Sequence, residues 1–231
     1  MRAEIVIPCF NEAGNLSALI DECYKIIHES KGRINFILVN NGSLDSTNKI
    51  FSENSLESKG IRFITCAVNK GYGGGIVAGL NQTTAEIVGW THADLQTPLI
   101  DCLRGLECIE KGHSFAKGMR NGRPLIDRFF SIGMGVYESC LFRAPLWEVN
   151  AQPTLFTREF FLTWKNVPTD FSLDLYALVM AHKSQESISR FKVHFLPRVS
   201  GSSHWNHGFL SRLHFVKRIV NYSLILRREL R

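Results

Sequence analysis

His92 and Asp94 stand one residue apart in the stretch GWTHADLQTP, Gly89 to Pro98, with the small Ala93 between them. An imidazole and a carboxylate this close, at the end of an apolar run, suit three roles. The two side chains can ligate a divalent cation together. The imidazole can instead donate a hydrogen bond to a ribose or phosphate, leaving the carboxylate to the cation. Or the imidazole packs beneath the loop. Two residues apart on an extended strand end, both side chains project to the same side. A second unusual stretch is NKGYGGGIVAG, Asn69 to Gly79. Within it, Gly73 to Ala78 fits G-x-G-x-x-A between a strand and a helix, the dinucleotide-binding fingerprint. That match falls in the third strand–helix unit, and the first turn, PCFNEAGN, carries no such loop. The glycines also suit a tight turn with close helix packing, or a phosphate held by Lys70 and the backbone amides.

These residues need a scaffold that gathers them. EIVIPCF, INFILV, IRFITCAV and EIVGWTHA are apolar, β-branched runs of strand length. NEAGNLSALIDECYKIIHES, Asp45 to Phe51, and IVAGLNQTTA read as the helices between them. Buried strands alternating with helices predict a parallel sheet covered on both faces. Ligands of such sheets sit outside the carboxyl ends of the strands. The polar strand ends PCFNE, NNGSLDST, NKGYGGG and HADLQTP are therefore the expected site. Farther on, helices are expected over Leu99 to Lys111, Pro124 to Phe142 and DFSLDLYALVMAHKS. SRFKVHFLP reads as a strand, NAQPTLFTREFF as a strand or short helix, and RVSGSSHWNHG as a loop.

The bulk composition narrows the class. In 231 residues, 45% hydrophobic and 21% charged side chains fit a globular fold with a substantial core. No apolar run reaches the roughly 18 residues of a membrane span. The N-terminus runs directly into a strand, so no leader is expected. The six cysteines form no CxxC pair, which predicts reduced, buried thiols and no zinc site. The net charge is +6, but Gly208 to Arg231 holds six basic residues and one acidic one. A basic tail on a near-neutral body does not fit a nucleic-acid binder, which spreads such charge over a face.

In order along the chain, IPCFNE, VNNGSLDST, NKGYGGGIVAG and THADLQTP resemble the strand-end motifs of glycosyltransferase family 2. KGMR, DRFFS, EVNAQPTLFTRE and RVSGSSHW resemble that family's later segments, and the likeness is greatest to its polyprenyl-phosphate branch. The resemblance implies an α/β GT-A fold, with a mostly parallel sheet flanked by helices. It implies a Rossmann-like nucleotide-sugar half over 1–98, an acceptor half over 99–207, and an added basic helix over 208–231. The implied activity is inverting transfer of a sugar from a nucleoside-diphosphate sugar to a polyprenyl phosphate or growing surface glycan. Mg²⁺ or Mn²⁺ would neutralise the leaving diphosphate. The same resemblance places that cation at Asp94 and Gln96. It places the nucleotide-sugar at Pro8, Phe10, Asn11, Glu12, Asn40, Asn41, Lys70, Gly71, Gly74, His92, Ala93 and Asp94. Donor diphosphate or acceptor phosphate falls to Arg120, Arg128, Ser131, Arg198, Ser203 and His204. The implied location is cytoplasmic, peripheral on the inner membrane face, and a homo-oligomer remains open.

Three departures from the family pattern stand out. His92 replaces the first aspartate of D-A-D, and its three roles remain open. Asn40 and Asn41 replace an aspartate pair; an amide both donates and accepts, so uracil, cytosine, guanine and thymine all remain open. Capping the turn is the alternative role for the two asparagines. NAQP lacks the family's glycine–phenylalanine. A phosphate acceptor needs no general base, whereas a sugar hydroxyl needs a carboxylate, for which Glu148, Asp174 and Asp170 are candidates. Helix capping is the alternative for the last two. A catalytically silent, nucleotide-sugar-binding relative fits the same departures. In the tail, Phe209, Leu213, Val216, Ile219 and Val220 are expected to form an apolar stripe that lies on an anionic membrane surface, or else packs on the domain.

Overall fold

The computed structural model describes residues 1–54, 59–121, 125–196 and 209–230, and of residues 125–130 and 209–215 the backbone alone. The expected alternation is present: β1 (Ala3–Cys9), α1 (Ala13–Glu29), β2 (Ile34–Asn41), α2 (Thr47–Asn54), β3 (Ile61–Cys66), α3 (Gly71–Leu80) and β4 (Ile87–Trp90). The second half continues with α4 (Ile100–Glu110), β5 (Phe115–Asn121), α5 (Leu125–Phe142), β6 (Thr154–Thr157), α6 (Arg158–Leu162), α7 (Leu173–Lys183), β7 (Ile188–His194) and α8 (Phe209–Glu229). NAQPTLFTREFF thus supplies both a strand and a short helix.

One seven-stranded sheet runs in the order β3-β2-β1-β4-β6-β5-β7. The pairs β1–β2, β2–β3, β1–β4 and β5–β7 are parallel. The strand β6 is antiparallel to both β4 and β5, and joins the two halves of the sheet. Side chains alternate across each strand. Ile5 and Ile7 of β1 face a core layer with Leu16, Leu19 and Leu106. Val6 faces the other layer, with Ile76, Leu178, Trp90 and Phe156. Burying both faces explains why the strands read as unbroken apolar runs.

Two expectations change. The glycines of NKGYGGG do not form a loop after β3: α3 starts at Gly71, and Gly73, Gly74 and Gly75 lie inside it. At Gly79 an added Cβ would lie 2.4 Å from Val6 Cγ1, so only glycine brings the helix this close to β1. In the tail, Ile219, Ser223 and Leu226 are buried against the body, and α8 touches α5. Of the expected stripe, Ile219 is core and Val216 and Val220 are half-buried; the side chains of Phe209 and Leu213 lie outside the described residues. No helix among the described residues is long and apolar enough to cross a membrane.

Glu138 of α5 is only 3% exposed. Burial pushes its carboxyl up from 4.5 to about 8. Between these values the folded chain holds a proton that the unfolded chain has released, so stability falls as pH rises. The contribution is complete below about 4.5 and lost above about 8. Thermal denaturation across that window should show a falling Tm for the native sequence and a flatter profile for Glu138→Gln.

Candidate functional site

The carboxyl ends of the first strands are tied to one another by side chains. After β1, Asn11 adopts φ 55°. Its N–H donates to Ser43 Oγ (3.0 Å) and its Oδ1 accepts from Leu44 N–H (2.8 Å), fastening this turn to the one after β2. Asp45 accepts from Ala13 N–H (3.1 Å) and Thr47 N–H (2.9 Å), and Thr47 Oγ1 accepts from Glu12 N–H (3.1 Å). Burial pushes the Asp45 carboxyl up, but the Thr47 and Ala13 hydrogen bonds outweigh it and leave the group below its ordinary value. Glu12 accepts from Asn15 Nδ2 at 2.7 Å. Pro8 is half-buried and Phe10 stands at the surface.

Asn40 and Asn41 are buried, and their amides hold loops. Asn40 Oδ1 accepts from Ser43 N–H at 3.0 Å, and its Nδ2 donates to Asn48 Oδ1 at 3.2 Å. Asn41 Oδ1 accepts from Lys70 N–H at 3.1 Å, while its Nδ2 donates to Gly71 O at 2.9 Å and Asn69 Oδ1 at 3.3 Å. Both asparagines thus cap their turns, one of the two roles the sequence left open. Burial without a partner would be costly, and the turns supply the partners.

The glycine run meets the 168–170 segment from the second half of the chain. Gly74 N–H donates to Thr169 O at 2.9 Å. A Cβ on Gly71 would lie 2.5 Å from Thr169 O, and one on Gly73 would lie 2.6 Å from Pro168 O. The 168–170 segment thus packs on this glycine run, the close-packing role the sequence had left open. Close packing is what these glycines permit. Lys70, one residue before the helix, is exposed.

Asp94 lies just beyond β4, at the centre of the sheet, and is 6% exposed. Its Oδ1 accepts from Gln96 N–H at 3.2 Å. Gln96 Nε2 donates to Leu196 O at 3.2 Å, and its carbonyl accepts from Leu196 N–H at 2.8 Å. A carboxylate and an amide oxygen are hard donors suited to Mg²⁺ or Mn²⁺, and His92 adds a nitrogen. No group of three or more His, Cys, Asp or Glu that could hold a metal exists among the described residues. The donors present therefore fit a cation whose other ligands come from a bound diphosphate and water, rather than one caged by protein alone.

Behind this loop lies a buried polar network the sequence did not reveal. Asp174, in the first turn of α7 and 1% exposed, accepts from Gln152 Nε2 (2.7 Å), Tyr72 Oη (3.2 Å) and Lys117 Nζ (3.4 Å). Lys117 of β5 is wholly buried and donates to Thr154 Oγ1 at 2.7 Å. Burial lowers the Lys117 ammonium to about 8, with Asp174 pulling it back up. Tyr72 Oη is 2.9 Å from His92 Nε2. Its ring stacks on Phe171 at 4.5 Å and meets His92 edge-on at 5.5 Å. Burial, and then Asp174, push the Tyr72 phenol well above its ordinary range, so it remains protonated. One signal was available: Lys117 and Asp174 each lie among apolar neighbours in their element, and charges are buried only with partners.

The remaining candidates divide. Arg120 Nε donates to Glu148 Oε2 at 2.7 Å, joining a residue expected at phosphate to one expected as base. Arg190, beside Lys117 on β7, is pushed down to about 10 by burial, against the pull of Glu148. Asp170 Oδ1 accepts from Ser172 N–H at 2.9 Å in the turn before α7, and its Oδ2 lies 3.6 Å from Arg218 of α8. Ser131 is half-buried on α5. The Arg128 side chain, and Arg198, Ser203 and His204, lie outside the described residues.

Residues 4–174 match the family model described as Glycosyl transferase family 2. Among curated relatives, the undecaprenyl-phosphate 4-deoxy-4-formamido-L-arabinose transferase of Edwardsiella ictaluri is 29% identical over 121 residues, covering 52% of this chain and 37% of the relative. That of Serratia proteamaculans is 28% identical over 159 residues, covering 62% of this chain and 48% of the relative. The matches thus span less than half the length of these relatives. Among solved structures, glucosyl-3-phosphoglycerate synthase from Mycobacterium tuberculosis, with Mn²⁺, UDP-glucose and phosphoglyceric acid, superposes with a TM-score of 0.73 at 17% identity. The superposition covers 98% of this chain and 79% of that one, and establishes the GT-A fold.

Breaking a buried ion pair by removing one partner costs about 3–5 kcal/mol. Lys117→Met should lower unfolding stability by about 3 kcal/mol in urea titration. Adding Asp174→Asn should recover part of that loss, so the double variant falls short of the sum of the singles.

Proposed function

The chain belongs to glycosyl transferase family 2, and from that membership we propose that it moves a sugar from a nucleoside-diphosphate sugar onto a polyprenyl-phosphate acceptor. The observation that carries this reading is the tying of the strand-end turns around Asp94. Asn11 bridges to the β2 turn, Asn41 to the start of α3, and Tyr72 to His92 beyond β4. A rigid floor at the carboxyl edge of a parallel sheet is where such a fold places its ligand.

Asp94 and Gln96 would hold Mg²⁺ or Mn²⁺, which when bound neutralises charge on the departing diphosphate. Main-chain groups after Pro8, with Phe10, Asn11 and Glu12, would line the nucleotide, and Lys70 would add positive charge from the exposed start of α3. Two of the carboxylates able to deprotonate a sugar hydroxyl are committed elsewhere: Glu148 to Arg120, Asp174 to three donors. An acceptor that is already an anion needs no base, and this favours a phosphate over a glycan hydroxyl. Arg120, Arg128, Ser131, Arg198, Ser203 and His204 are assigned to phosphate, with Arg190 added. The undecaprenyl-phosphate transferases among the relatives support the same acceptor class. The outer face of α8 bears Leu224 and Ile225, 43% and 52% exposed, with Lys217, Arg218 and Arg228. Such a face suits an anionic membrane surface, and we assign the enzyme to its cytoplasmic side.

UDP, GDP, CDP and dTDP screened by thermal shift should reveal one that raises Tm only together with Mn²⁺ or Mg²⁺. Asp94→Ala should abolish the metal-dependent part; its persistence would remove the cation from Asp94. With the matching nucleotide sugar, label should pass to undecaprenyl phosphate in detergent. Binding without transfer to that lipid or to a glycan would mark a catalytically silent relative.

A further inference from the structure

We propose that His92 binds the divalent cation through Nδ1, in the position of the missing aspartate, with its ring orientation and tautomer set by Tyr72 and Asp174. This rests on the reading of Asp94 as a cation ligand and adds to it a nitrogen donor and a metal preference.

The argument is a matter of counting protons. The Lys117 ammonium only donates, and it donates to Thr154 Oγ1 at 2.7 Å. The Thr154 hydroxyl proton then goes to Gln152 Oε1 at 3.2 Å. That fixes the Gln152 amide: its Nε2 donates to Asp174 Oδ1 at 2.7 Å and towards Tyr72 Oη at 3.3 Å. Asp174 is an acceptor, so the single phenolic proton of Tyr72 goes to its Oδ2 at 3.2 Å. The Tyr72 oxygen has then no proton left for His92, 2.9 Å away. His92 Nε2 must carry the hydrogen and donate it to Tyr72. In a neutral imidazole the other nitrogen is then unprotonated. Nδ1 has no hydrogen-bond partner among the described residues.

An unprotonated Nδ1 accepts a proton or ligates a metal; it does not donate to ribose or phosphate. Donation to ribose or phosphate, the role left open by the sequence, needs a protonated Nδ1; from a ribose hydroxyl this nitrogen only accepts. Packing alone leaves a half-buried lone pair two residues from Asp94 without a task. A metal-bound histidine characteristically gives its other ring N–H to an oriented acceptor, which fixes ring and tautomer. Tyr72, backed by Asp174, is such an acceptor. The resulting donor set is one carboxylate and one imidazole where the family has two carboxylates. Imidazole nitrogen favours Mn²⁺ over Mg²⁺. With a single negative charge, the site should gain most of its affinity from the nucleotide's diphosphate.

The test uses the full chain with Mn²⁺ and each of UDP, GDP, CDP and dTDP. Pulsed EPR of bound Mn²⁺ should show coupling to a directly bonded nitrogen, changing when histidine is ¹⁵N-labelled and vanishing in His92→Asp. Calorimetry should show the preference for Mn²⁺ over Mg²⁺ about tenfold smaller in His92→Asp than in the native chain. Tyr72→Phe should weaken Mn²⁺ binding by about tenfold. Mn²⁺ and nucleotide bound without nitrogen coupling would overturn the assignment of His92 and leave the transferase reading intact. Failure of Mn²⁺ to bind with any of the four nucleotides would overturn both.

Discussion

A carboxylate buried to 1% is unfavourable unless its oxygens are filled, and the arrangement around Asp174 is organised by that requirement. Its three donors arrive from three parts of the chain: Tyr72 from α3, Lys117 from β5, and Gln152 from the approach to β6. Asp174 itself begins α7, where the helix N-terminus favours negative charge. No two of these elements can shift apart without stripping a donor from a buried anion. The first half of the chain, with α3 and the β4 loop, is thereby locked to the second, with β5, β6 and α7. Glycosyl transfer needs donor and acceptor sites held in fixed relation, and on the proposed reading this carboxylate would lie between the two.

The glycines of α3 serve the same junction from its other side. A run of small residues lets segment 168–170 lie on the helix, with Gly74 N–H on Thr169 O. Phe171 then stacks on Tyr72, and Arg218 of α8 reaches both Asp170 and the Phe171 ring. The tail is therefore connected to the site through a chain of contacts. Its buried face, Ile219 and Leu226, belongs to the same core layer as Val6 and Trp90.

The strands and helices up to Asp94 were legible because each follows a single periodicity and ends in a polar turn. Asp94 was legible because its motif is local. The network was not, because its members are far apart: Tyr72 and Asp174 are separated by 102 residues, Lys117 and Asp174 by 57. A lysine in SFAKGMR reads as a strand-end cation until the sheet closes over it. Asn40 and Asn41 show the converse. Their position in the motif points to a ligand, but two buried amides were taken by nearby N–H and C=O groups, which turn residues meet first. The glycine run was ambiguous in the same way, since a tight approach to phosphate and a tight approach to another loop demand the same residue.

Taken together, the departures from the family pattern have a common sign. His92, Asn40 and Asn41 each stand where that pattern has an aspartate, so the strand-end floor has lost negative charge at three positions. Asp45 is held by backbone donors, Asp174 by Lys117, Gln152 and Tyr72, and Asp94 accepts from Gln96 N–H. A site rich in carboxylates attracts a divalent cation before the nucleotide and repels the nucleotide without it; a site with fewer does neither strongly. On the proposed reading, cation and diphosphate would stabilise each other's binding at such a site. If His92 and Asp94 hold the cation as proposed, a neutral nitrogen in place of a carboxylate keeps the geometry of the fold while moving the charge that holds the metal from the protein to its substrate.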